Sequence, residues 1–188
     1  MRQEIGTALE ENPVILAVKD EAGLARCLAS DSRVVFVLFG SVASAPELVA
    51  RLKAADKLVF VDVDLMDGLS AREAAVDYLA RATAADGIIS TKAALVRRAA
   101  ELGLATVYRT FLLDNMALQS LRKAAAQSPA DYVEILPGVM PKLIARLAGE
   151  LQKPLIASGL IADKEDVVTA LSAGAAAVSS TDPAVWEL

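Results

Sequence analysis

The chain has 188 residues, 55% hydrophobic and 23% charged, with a formal net charge of −5 and a mean hydropathy of +0.44. That length fits one domain over residues 1–188, and so apolar a composition excludes a disordered chain, which could not bury enough surface to offset its ordering entropy. There is no histidine and one cysteine, Cys27, which excludes Ser–His and Cys–His catalysis, His-bound zinc, thiolate cages and internal disulfides.

Any acid–base or metal chemistry therefore falls to carboxylates, Lys, Tyr, Ser or Thr. The N-terminus, Met1-Arg2-Gln3-Glu4-Ile5, runs on through Glu10 and Glu11 before any apolar stretch, unlike a signal peptide. The best candidate for a membrane span, Val34 to Phe39, is far shorter than the roughly 20 apolar residues a span needs. A cytoplasmic protein without membrane contact is expected.

From Val14 onward, short apolar runs alternate with helical stretches. Strands are predicted at Val14–Val18, Val34–Leu38, Leu58–Asp64, Gly87–Ser90, Ala105–Phe111, Tyr132–Leu136, Pro154–Ser158 and Ala175–Ser179. Helices are predicted near 20–30, 45–55, 71–82, 92–102, 115–126, 140–150 and 164–173, with a terminal stub at Ala184–Leu188. Pro141 suits a first helical turn, Asp163 an N-cap, and Gly103 and Gly174 helix ends. Alternation of this kind implies parallel strands joined by right-handed crossovers. Eight units favour a compact (β/α)8 TIM-type barrel with short loops over an open sheet.

In such a barrel the site gathers where strands end and βα loops begin. Period-two alternation puts Phe60, Asp62 and Asp64 on one face of the third strand and its valines on the other. By the same count Tyr132, Glu134 and Leu136 point inward, Arg109 ends the fifth strand and Lys92 follows the fourth. Asp62, Asp64 and Glu134 form an acidic trio of a type that holds Mg²⁺; the alternative is an ion-pair network with Arg109 and Lys92 and no metal. Asp64 is equally suited to cap the loop that follows it. At the last two strand ends, Ser158-Gly159-Leu160 and Ser179-Ser180-Thr181 precede a turn opened by Asp182-Pro183. Barrels grip phosphate at this place through backbone N–H groups and hydroxyls, although an Asp182 cap competes for the same donors.

Charge is uneven: residues 90–160 carry nine basic against five acidic side chains, while both flanking segments are acidic. Arg97, Arg98, Arg122, Lys123, Lys142 and Arg146 fall on three successive predicted helices and form a candidate positive flank for RNA. Only 4% of residues are aromatic, so base stacking has little to draw on.

The residues resemble the glycerol-3-phosphate-responsive antiterminators, regulatory proteins of glycerol uptake operons. The resemblance runs from Val14 to Trp186 and is strongest over residues 58–186. It is carried by Val61-Asp62-Val63-Asp64-Leu65-Met66-Asp67-Gly68-Leu69, Asp86-Gly87-Ile88-Ile89-Ser90-Thr91-Lys92 and Arg109-Thr110-Phe111-Leu112-Leu113-Asp114. It continues in Asp131-Tyr132-Val133-Glu134-Ile135-Leu136-Pro137-Gly138-Val139-Met140-Pro141, Ile156-Ala157-Ser158-Gly159-Leu160-Ile161 and Ala173-Gly174-Ala175-Ala176-Ala177-Val178-Ser179-Ser180-Thr181.

The resemblance implies a barrel that senses glycerol 3-phosphate, acts on leader mRNA to prevent premature termination, and is not an enzyme and needs no cofactor. Carried over by position, its ligand residues are Asp64, Arg109, Glu134, Gly138, Ser158, Gly159, Ser179 and Ser180, with Lys92 nearby. Four positions depart from the family pattern. Asp62 stands where many relatives have His, Lys92 and Lys19 where they often have Arg, and Ser158 in place of the first of two glycines. Two other readings stay open from the residues alone. One is a Mg²⁺-dependent phosphodiesterase or sugar-phosphate lyase or isomerase, with Glu134 or Lys92 as general base; the other is a ligand-binding protein without RNA. A homodimer is equally open.

Overall fold

The structure, a computed structural model, describes residues 1–188. Its eight strands are β1 (Val14–Val18), β2 (Val34–Val37), β3 (Leu58–Asp62), β4 (Gly87–Ser90), β5 (Ala105–Phe111), β6 (Tyr132–Leu136), β7 (Leu155–Ser158) and β8 (Ala177–Ser180). Each pairs in parallel with the next, and β8 pairs with β1, so the sheet closes into a (β/α)8 barrel.

The helices are α1 (Arg2–Glu11), α2 (Glu21–Ala29), α3 (Ala45–Ala54), α4 (Glu73–Ala82), α5 (Ala93–Glu101), α6 (Asn115–Gln127), α7 (Pro141–Glu150), α8 (Lys164–Ser172) and α9 (Pro183–Trp186). Seven of them are those expected between 20 and 173. Asp20, Asp114 and Asp163 each accept a backbone N–H three residues on, fixing the starts of α2, α6 and α8.

Strand alternation divides the core in two. Outward residues such as Val35, Val59, Val61, Ile88, Val133 and Ile135 pack against the helices in the larger cluster. Inward residues fill the barrel itself, where Phe36 and Phe60 meet edge-to-face at 5.5 Å between centroids. Gly87 leaves room for that filling: a Cβ there would meet the Phe60 ring and the Ala105 carbonyl at 2.5 Å.

The helix α1 was not expected from the sequence. Its Ile5, Ala8 and Leu9 join the barrel-interior cluster and close the barrel's N-terminal end. The i, i+3, i+4 spacing of these three is the helical signal that the surrounding acidic residues obscure. Four strands differ from expectation at their ends, β2 stopping at Val37 rather than Leu38 and β7 starting at Leu155 rather than Pro154. β3 stops at Asp62 rather than Asp64, because the Asp62 Oδ1 accepts the backbone N–H groups of Asp64 (3.0 Å) and Leu65 (3.2 Å) and turns the chain. β8 begins at Ala177 and runs to Ser180. No helix is long and apolar enough to cross a membrane.

Candidate functional site

At the C-terminal end of the barrel the inward layer turns from apolar to ionic. Arg109 on β5 lies directly beside Glu134 on β6 in register. Its Nε donates to Glu134 Oε2 at 2.6 Å, and its Nη1 donates to Asp62 Oδ2 across the barrel. Ser158 on β7 donates its hydroxyl to Glu134 Oε1 at 2.6 Å. Asp62, Glu134 and Arg109 are all buried, so the fork of the guanidinium satisfies two carboxylates that could not otherwise stay ionised there.

Burial pushes the Asp62 carboxyl up to about 6; the adjacent Arg109 opposes that rise, while the charges of Glu134 and Asp64 add to it. Burial alone would lower the Arg109 guanidinium, but the flanking Glu134 and Asp62 carboxylates outweigh it and hold the group above its ordinary value. Arg109 is therefore a permanent cation, and Asp62 is the member of the cluster whose charge changes near neutral pH.

Above this floor opens a pocket of about 410 Å³. Arg109, Glu134, Ser158, Gly159, Ser179 and Ser180 all border it, together with Leu38, Leu65, Phe111, Leu136, Leu160 and Asp182. The Ser180 hydroxyl donates to the Ile161 carbonyl at 2.7 Å, which leaves the Ser179 hydroxyl as the one presented to the cavity. Gly159 and Leu160 both have positive φ, +74° and +63°, the conformation in which successive N–H groups turn to one side. A larger groove, about 620 Å³, lies between α6 and α7. There Arg122 and Glu150 pair with each other at 2.8 and 2.9 Å, whereas the mouth pocket gathers the buried ionic side chains.

Three expected ligand residues lie elsewhere. Asp64 does not point into the mouth. Its carboxylate accepts from Ser90 Oγ (3.1 Å), Thr91 N (2.6 Å), Thr91 Oγ1 (2.7 Å) and Lys92 Nζ (2.8 Å), and so clamps the β4–α5 turn. Burial would push the Asp64 carboxyl up, but those bonds, Lys92 foremost, hold it below the usual carboxylate range. Lys92 is committed to the same clamp. Gly138 shapes the pocket from behind: its N–H donates to the Gly159 carbonyl at 2.9 Å, and a Cβ would meet Ser158 N at 2.8 Å.

The acidic trio accordingly has no common point at which to hold Mg²⁺, and no group of three metal-ligating side chains converges anywhere in the chain. Leu38, Leu65 and Phe111 are among the pocket residues that sequence reasoning missed, and it reached Leu160 only as part of the Ser158-Gly159-Leu160 turn. Phe111 could have been found, because alternation from Arg109 puts it on the inner face.

The six basic flank residues separate into two groups. Arg98 pairs with Asp77 and Glu101, and Arg122 and Arg146 share Glu150. Arg97, Lys123 and Lys142 are exposed and make no ion pair.

The family model for the glycerol-3-phosphate responsive antiterminators matches residues 14–186. The chain belongs to that family. Among solved structures it is similar to the glycerol uptake operon antiterminator regulatory protein of Listeria monocytogenes, with a TM-score of 0.91 and 29% identity over 94% of this chain and 95% of that one. A glycerol uptake operon antiterminator-related protein of Thermotoga maritima gives a TM-score of 0.80 and 29% identity over 93% and 98% of the two chains. An uncharacterized protein of Escherichia coli K12, YgcP, is 41% identical over 180 residues, 96% of this chain and 94% of that protein. The resemblance read from Val14 to Trp186 and the family model thus agree on one antiterminator family with a regulatory role.

Proposed function

We propose that this antiterminator binds a small phosphorylated solute of the glycerol 3-phosphate type in the barrel mouth and acts on leader mRNA through its outer helices. The observation that carries this reading is the pocket itself. It sets a permanent guanidinium, a free Ser179 hydroxyl and the positive-φ Gly159-Leu160 turn around one cavity, the donor types that recognise phosphate oxygens. Turnover is not part of the reading: the carboxylates that would hold a metal or act as base are engaged by Arg109 or by the β4–α5 turn.

RNA contact is assigned to Arg97, Lys123 and Lys142, which face solvent on α5, α6 and α7. Calorimetry at pH 7 with glycerol 3-phosphate, glycerol and inorganic phosphate tests the pocket. Saturable one-site binding of glycerol 3-phosphate, with glycerol alone silent, is the expected outcome. Heats no different from buffer for all three solutes would remove the sensor role.

A further inference from the structure

Outside the barrel, the groove of about 620 Å³ between α6 and α7 is bordered by Arg122, Ser128, Glu150 and Lys153. The two helices that form it are unusual in charge. α6 is the one helix of the chain that carries basic side chains, Arg122 and Lys123, and no acid. On α7, Lys142, Arg146 and Glu150 recur at four-residue spacing and form one stripe along the helix. Glu150 is thus the single acid of both helices. It is also the last residue of α7, where the helix dipole disfavours an anion, so its arginine partners and not its own helix hold it there.

The way it is held matters. Arg122 gives Nε and Nη2 to the two Glu150 oxygens at 2.8 and 2.9 Å, and Arg146 Nε lies 3.3 Å from Oε1. Two parallel donors from one guanidinium, with a second arginine beside them, grip a phosphate in the same manner. Glu150 and Arg146 are exposed and Arg122 is half-buried, and ion pairs so open to water yield readily to a competing anion. The Ser128 hydroxyl accepts the Ala130 N–H at 3.1 Å and keeps its own proton to donate.

We propose that the α6–α7 groove seats the phosphate backbone of single-stranded RNA, and that the Glu150 carboxylate occupies the phosphate position until RNA displaces it from Arg122 and Arg146. This assignment rests on the RNA reading above and locates its contact. A polymer fits better than a lone phosphate, because the positive charge continues past the groove to Lys123 and Lys142. No aromatic side chain lines the groove, so it holds backbone and adds affinity without reading bases.

The test is a salt series of affinities for the leader transcript of a glycerol-uptake operon, with glycerol 3-phosphate at saturation. Glu150→Gln removes the competing charge at the surface and should tighten binding about fivefold, as expected for release of two exposed pairs. Glu165→Gln on α8, outside the groove, makes the same change in net charge and should gain less than about twofold. Arg122→Gln with Arg146→Gln should flatten the slope of log affinity against log salt by about 1.4, two phosphate contacts at about 0.7 each. In that background Glu150→Gln should gain nothing, the mark of groups that act on one another. Circular dichroism checks that each variant is folded.

Wild-type affinity in Glu150→Gln, or an equal gain in Glu165→Gln, overturns the assignment while the RNA reading stands. So does an unchanged salt slope in the double arginine variant, or a gain from Glu150→Gln that survives in it. If the wild-type chain binds no transcript even at low salt, the RNA reading falls and the groove assignment with it.

Discussion

The fork of Arg109 between Asp62 and Glu134 concentrates the chemistry of this chain in three side chains on β3, β5 and β6. Asp62 carries a consequence for stability. Its carboxyl lies at about 6 in the fold, above its ordinary value of 3.8, so between those values the folded chain binds the proton that the unfolded chain has released. Stability from this group is therefore full at low pH and is lost as pH rises through about 6. Shifts of this size correspond to about 2–3 kcal/mol. Chemical denaturation of wild type and Asp62→Asn at pH 4 and pH 7 isolates the contribution: the wild type should lose about that much relative to the variant on going to pH 7. A difference independent of pH would mean that Asp62 stays ionised throughout.

Element by element, the sequence conveyed most where side chains alternate. Period two correctly put Phe60, Asp62 and Glu134 inside and the valines of β3 outside, because in a closed parallel sheet one face has only the barrel to enter. It misplaced Asp64, since the side chain that ends β3 does so through its own hydrogen bonds to the following N–H groups, and a turn made that way leaves no periodic trace. Asp64 then answers to the neighbouring β4–α5 turn instead of the mouth. The pocket wall was hidden for a related reason: Leu65 and Leu160 sit on loops, where no period exists.

The helix α1 is the other unforeseen element, and it closes the barrel floor with Ile5, Ala8 and Leu9. Ile5 is fully buried, so Ile5→Ala should cost about 2–5 kcal/mol through lost burial and the cavity left behind. A thermal or urea melt measures this. A cost below about 0.5 kcal/mol, the level of a surface substitution, would mean that α1 does not stopper the barrel.

At the scale of the molecule, the mouth and the basic flank occupy different surfaces, one at the strand ends and one on the outside of α5, α6 and α7. The excess of basic residues between 90 and 160 was legible from the sequence, but the pairing of Arg98, Arg122 and Arg146 with Asp77, Glu101 and Glu150 was not. Those partners meet only when the helices are assembled, and they reduce the flank to Arg97, Lys123 and Lys142. The proposed action on RNA requires that occupancy of the mouth change affinity at the flank, a coupling between two sites that typically amounts to about 1–3 kcal/mol. The most direct measurement is the affinity of the chain for the leader transcript of a glycerol-uptake operon, at fixed salt, without ligand and with saturating glycerol 3-phosphate. Ligand should tighten RNA binding by about tenfold. Identical affinity with and without ligand would contradict a sensor that acts through RNA.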